Sequence, residues 1–207
     1  MASTAIPIDA RDALSRRQES VLGNLMTDAA RAGTGADVAL INAGAMRLDD
    51  VIRPGPVSNY QLESIFLFAD ETRMVTFPLS GSRLRQVLEH GVSDASLGKG
   101  GFLQVSGVSF TYDPRRPSGD RIVGDIGRPE GGVVTPDDTL SVTFAGYPAC
   151  EGGDGYSIPE AQASCPGVNQ GPRAADLLTR YVTDSLGGRI QAPSAGRITR
   201  AGNTNPG

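Results

Sequence analysis

Val38-Ala39-Leu40-Ile41-Asn42-Ala43-Gly44-Ala45-Met46-Arg47 is the stretch on which the reading of the fold turns. Its first four residues form an uninterrupted apolar run, the pattern of a buried strand. The run stops at Asn42, and small residues lead on to Arg47. Loops at strand ends are common places for binding sites, because the strand fixes the base of the loop. Small side chains let backbone approach a ligand closely. Asn presents a paired donor and acceptor, and Arg holds anions. A plain turn with incidental polar residues has the same composition, so this segment alone leaves both readings open.

On the N-terminal side, Ser15 and Gln18 have capping-box spacing. Leu22, Leu25, Met26 and Ala29 follow at helical intervals, which predicts a helix over 16–32 with Gly33 as its stop. Residues 1–13 read as a linker. On the C-terminal side, Ser58 with Gln61 caps a short helix through Ile65. A strand is expected over 73–79, and Ser80 then caps a helix whose face is Leu84, Val87 and Leu88. Val105 to Tyr112 and Leu140 to Phe144 alternate as strands do. Residues 114–136 are dense in Gly and Pro and read as turns around a short strand at 121–126. A helix over 173–186 and a closing strand at 196–199 complete the domain, with a disordered tail at 201–207. Helices and strands mix without a βαβ rhythm. The expected fold class is therefore α+β: a single layered domain over 14–200, with a mixed sheet and flanking helices.

Composition narrows the function. The chain has 207 residues, of which 39% are hydrophobic, enough for one real core. A net charge of −4 argues against a nucleic-acid polymer as partner, because no basic footprint attracts one. No stretch approaches a membrane span. The first twenty residues hold no apolar signal-peptide core. A metal pair needs several converging carboxylate and imidazole ligands, and His90 is the only histidine. His90 falls at the end of a helical pattern, where it suits the helix dipole. No nucleophile elbow or phosphate-binding loop is present, so the chain carries no candidate catalytic residue and no cofactor of its own.

What remains is suited to binding. Gly152-Gly153-Asp154-Gly155-Tyr156 places one carboxylate at the apex of a tightly bent loop. Such an acceptor can hold vicinal sugar hydroxyls; an ordinary Asp-Gly turn is the plainer reading. Tyr147 lies just before this loop and is placed either to stack on a flat ligand or to fill the core. Cys150 and Cys165 flank the same region. They fit either a disulfide in an exported protein or two unrelated thiols.

Six segments, taken in order, resemble the C-terminal domain of the 5′-nucleotidase family, which includes bacterial UDP-sugar hydrolases and animal ecto-5′-nucleotidases. They are Glu19–Leu25, Ile41–Arg47, Phe68 before a strand, Phe102–Gly107, Gly152–Tyr156 and Gly196–Ile198. Each is short; together they span nearly the whole chain. The resemblance implies a nucleotide- or nucleoside-binding domain joined to an N-terminal metallophosphatase domain that holds two divalent metals. It implies that Phe68 and Tyr147 sandwich the base and that Asn42 hydrogen-bonds it. It further implies that Asp154 binds the ribose hydroxyls and that Arg47 and Arg16 contact the ribose or phosphate region. Family substrates extend to cyclic nucleotides, UDP-sugars and sulfur compounds, and the family location is periplasmic, cell-surface or extracellular. By this resemblance the isolated chain is part of a hydrolase without being catalytic; the alternative is a free-standing binding or structural module. Three departures stand out. The family's Gly-rich loop is Asn-Ala-Gly-Ala here, whose two methyl groups narrow the pocket floor. The segments after Phe68 and between Tyr147 and Asp154 are also longer than the family's usual pattern.

Overall fold

The computed structural model describes residues 2–66, 72–165 and 171–202. Strand Val38–Asn42 lies inside a four-stranded sheet and is buried at all five positions. The sheet order is Met74–Ser80, Thr139–Ala145, Val38–Asn42, Leu103–Ser106. Val38–Asn42 runs parallel to Thr139–Ala145, with Ala39 opposite Thr143. It runs antiparallel to Leu103–Ser106, with Leu40 opposite Val105. This mixture, with helices packed on the sheet, is the α+β class expected from the sequence.

The helix that packs on Val38–Asn42 and Leu103–Ser106 spans Val21–Thr34, starting later than the capping pattern predicts. Its cap is Ser20, whose hydroxyl accepts from Gly23 N at 2.9 Å. Ser15 instead ends a separate one-turn helix, Asp12–Ser15. The cause is the fully buried Gln104. Its Nε2 donates to the carbonyls of Ser15 and Gln18, at 2.9 and 2.8 Å, and its Oε1 accepts from Ser20 N at 3.0 Å. One side chain thus satisfies three backbone groups that a continuous helix would have paired internally. The helix ends at Gly35, with φ 69°, rather than at Gly33.

Residues 2–13 are folded and do not form a linker. Ala2–Thr4 is the middle strand of a three-stranded sheet, parallel to Arg189–Ile190 and antiparallel to Gly55–Val57. Ile8–Asp9 pairs with Val51–Ile52, and Ile8 and Ala10 are buried. A strand of three residues is too short for an alternating pattern to declare itself.

The stretch expected as one strand over 105–112 is two strands in different sheets. Gly107, at φ 86°, separates them, and a Cβ there would fall 2.0 Å from the Asp37 carbonyl oxygen. Beyond it, Ser109–Tyr112 lies between Ile198–Arg200 and Ile122–Gly127. The last helix, Ala174–Arg180, widens into a π-turn over Tyr181–Ser185. The tail expected over 201–207 lies outside the described residues from 203 on.

Candidate functional site

Topology brings three loops to one edge of the four-stranded sheet. Val38–Asn42 and Thr139–Ala145 are parallel, so both end at that edge. Leu103–Ser106 is antiparallel to them and begins there. The loops after Asn42, before Leu103 and after Ala145 must therefore meet, and their backbones interlock. Ala43 N donates to Phe102 O at 2.7 Å, and Gly44 N to Gly100 O at 2.8 Å. A Cβ on Gly100 would sit 3.1 Å from Gly44 Cα and 3.4 Å from Asp154 Oδ1. A side chain at 100 would thus force its neighbours to give by a few tenths of an ångström, and glycine lets the loops pack at this spacing.

Asn42 and Asp154 meet at this junction, Asn42 Nδ2 donating to Asp154 Oδ2 at 2.7 Å. Asn42 is only 3% exposed, and its buried Oδ1 has no hydrogen-bond partner among the described residues. Asp154 is solvent-exposed and left-handed, with φ 53° and ψ 20°, between Gly152 and Gly155 at φ 71° and 80°. Short polar side chains tolerate this region better than most. The Asp154 carbonyl is 2.9 Å from His90 Nε2.

Behind the loop, Tyr156 is buried edge-on against His90, at 4.3 Å and 66°, and against Phe144, at 5.2 Å and 90°. Its hydroxyl donates to Gly101 O at 2.6 Å. Burial, and secondarily the nearby charge of Asp154, pushes the phenol well above its ordinary range. It therefore stays a neutral donor that ties the 98–102 loop to the Asp154 loop.

Tyr147 opens the helix Gly146–Glu151 and is 59% exposed, not a core residue. Its ring lies over Gly153, where a Cβ would come within 2.2 Å of it. This helix is pinned by the Cys150–Cys165 disulfide, Cα–Cα 6.1 Å, to the helix Pro159–Ser164. Glu160 in turn holds Arg83 at 3.0 Å. The cysteines thus form the disulfide that the sequence left open.

Of the other expected residues, Arg47 and Arg16 are described. Arg47 is exposed, and its backbone N–H donates to Ile65 O at 2.8 Å. Among the described residues its guanidinium makes no hydrogen bond or ion pair. Arg16 pairs with Asp12 at 2.6 Å. Phe68 lies outside the described residues. Two participants were missed from sequence. One is the Gly98-Lys99-Gly100-Gly101 loop, whose signal was three glycines just before a strand. The other is His90, whose partner is far away in sequence. Among the described residues, no three His, Cys, Asp or Glu side chains converge as a metal site, and no helix is long and apolar enough to cross a membrane.

A sequence profile of the family described as 5′-nucleotidase, C-terminal domain, matches residues 2–161. The chain belongs to this family. A trifunctional nucleotide phosphoesterase of Bacillus subtilis is 28% identical to this 5′-nucleotidase C-terminal domain over 202 residues, covering 94% of the chain and 13% of that protein. A snake venom 5′-nucleotidase of Naja atra is 27% identical over 167 residues, covering 72% of the chain and 31% of that protein. The solved 5′-nucleotidase precursor of Thermus thermophilus superposes with a TM-score of 0.82 at 29% identity, over 96% of the chain and 39% of that structure. The domain thus spans well under half of each relative.

Proposed function

We propose that the chain is the substrate-recognition domain of a 5′-nucleotidase-type phosphohydrolase. In this reading it holds the base and ribose of a nucleotide while a separate N-terminal domain, with two divalent metals, performs the hydrolysis. The observation that carries the reading is the Asn42–Asp154 contact. Two polar residues 112 positions apart converge at an edge made of glycine-rich backbone, with an exposed tyrosine alongside.

The chemistry of that corner fits a nucleoside. Asn42 engages one carboxylate oxygen of Asp154, and the exposed carboxylate remains able to accept from two adjacent hydroxyls. Tyr147 offers an open ring face, and stacking on a base is worth roughly 1–3 kcal/mol. Phe68 is the proposed opposite wall, and Arg47, whose guanidinium makes no hydrogen bond or ion pair among the described residues, the proposed anion contact. Arg16 reaches an anion only by leaving Asp12. The described residues of this chain do not fit a metal pair, so no hydrolytic step is assigned to them.

We further propose that the parent protein is exported and takes part in nucleotide breakdown. A disulfide closing a surface loop belongs to oxidising compartments, and relatives include venom enzymes. Calorimetric titration with adenosine, uridine, AMP and UDP-glucose tests the recognition role. Saturable binding of at least one is expected, and no phosphate release from AMP with added Mn²⁺. Failure to bind all four overturns the reading.

A further inference from the structure

We infer that His90 is a positioning residue for the Asp154 carboxylate, acting through the Asp154 backbone rather than through any ligand. The inference rests on the reading of Asp154 as the acceptor for the ribose hydroxyls.

Asp154 is the apex of a tight turn closed by Gly155 N to Gly152 O and Tyr156 N to Gly153 O, each at 3.2 Å, and neither bond uses an atom of Asp154. Gly152, Gly153 and Gly155 surround it, and glycine moves between left- and right-handed backbone at little cost. Asp154 itself is one of only two non-glycine residues with positive φ among those described. A conformation of this kind persists when the surroundings over-determine it. The turn's own two bonds close the backbone around Asp154, and the contacts to the Asp154 carbonyl and carboxylate come from outside the loop.

Two hydrogen bonds reach Asp154 from distant segments. Asn42 takes its side chain, at 2.7 Å, and His90 takes its carbonyl, at 2.9 Å. They divide the task. Asn42 steers the carboxylate on its own torsions, whereas His90 sets the peptide plane from which the carboxylate springs. A carbonyl oxygen can only accept, so Nε2 carries the proton in this contact. The ring also packs on the following residue, where a Cβ on Gly155 would come within 3.3 Å of His90 Cε1. His90 thus touches both sides of the 154–155 peptide bond.

The ring is itself well founded. It meets Tyr156 edge-on at 4.3 Å, and Tyr156 is tied to Gly101. It stands in the last turn of the helix Gly81–Ser93. That turn is anchored by its neighbour Glu89, whose carboxylate accepts from Arg121 N and Ile122 N, both at 2.8 Å. Arg121 in turn donates to the Val92 carbonyl at 2.7 Å. A helix-end histidine that served only the dipole would need neither the ring stacking nor a carbonyl 64 residues away.

The test compares the affinity of adenosine with that of 2′,3′-dideoxyadenosine, titrated calorimetrically into the 207-residue chain and two variants. His90→Phe keeps a ring against Tyr156 and removes the donor. His90→Gln keeps a donor and removes the ring. Wild type is expected to prefer adenosine. His90→Phe should shrink that preference about three- to tenfold, the range of one net hydrogen bond, with dideoxyadenosine affinity unchanged. His90→Gln should restore most of it. A purely structural role would lower both affinities together or only the melting temperature, and an intact preference in His90→Phe overturns the inference while leaving Asp154 as the acceptor. Absence of any preference in the wild type overturns the reading of Asp154, and the inference with it.

Discussion

The loop junction around Asp154 and the turn-rich segment 113–138 are both dense in glycine, yet they use it for opposite purposes. At Gly100 and Gly153 an added Cβ would meet the Gly44 backbone or the Tyr147 ring. At Gly119 and Gly131 it would meet nothing; those positions need glycine for φ of 88° and 92°. The first kind lets elements approach one another, and the second only lets the chain turn. The polar contacts divide the same way. Asn42, His90 and Tyr156 reach across 112, 64 and 55 positions. Asp113–Arg115 and Arg116–Asp120 stay within four residues at the surface. Glycine content alone therefore does not mark a site; what its missing side chain makes room for does.

The contrast can be broken or sharpened by experiment. The largest effect should come from the covalent tie of the site region. Replacing Cys150 and Cys165 with Ser should cost ~3 kcal/mol in the chain-entropy account of a 15-residue loop, read from urea unfolding. A loss well below that would mean that the Arg83–Glu160 pair pins the helix unaided. Next, Asp154→Ala should weaken adenosine binding about ten- to a hundredfold, or ~1.4–2.8 kcal/mol, and dideoxyadenosine far less. Equal losses for the two ligands would deny the junction its role as a diol site.

Tyr156→Phe should be milder, removing one hydrogen bond worth about 1 kcal/mol. It also carries a pH signature. The folded phenol is raised above the value of about 10 expected in the unfolded chain. Above that pH the unfolded chain sheds a proton that the folded chain keeps, so stability falls as pH rises. Tyr112 and Tyr181, raised chiefly by burial, add to the fall in the same direction. Thermal melts from pH 9 upward should show a shallower decline for Tyr156→Phe than for wild type. The smallest effect belongs to the turn-rich segment. Arg116→Ala should leave the melting temperature unchanged, because exposed local ion pairs contribute little. A clear drop there would erase the distinction between the two regions.

These regions also show what is readable in a sequence. Val38–Asn42, the full capping box at Ser58–Gln61 and the Ser80 cap are local patterns, and each was expected where the structure has it. Asn42 and Asp154 drew notice as separate loop residues, and the structure brings them together. The capping pattern places the helix start too early because Gln104, from a strand distant in sequence, supplies the partners that end the preceding turn. In sequence His90 is legible only as a helix end for the same reason: its carbonyl partner belongs to another loop. Local capping and periodicity are legible from neighbours in sequence. Contacts made by one side chain to remote backbone are not.

The strand Ala2–Thr4 has a consequence for how the chain is made. It sits between Gly55–Val57 and Arg189–Ile190, so its two neighbours leave the ribosome at very different times. A nascent chain can form the first pairing early but must wait for nearly all of the sequence to form the second. Until then the first strand offers an unpaired edge, open to wrong partners. Such a far-separated pairing carries a late loop-closure cost and slows folding. Ala2–Thr4 is thus held on one side early and on the other only once Arg189–Ile190 has been made, shortly before Ile198–Arg200 completes its own sheet.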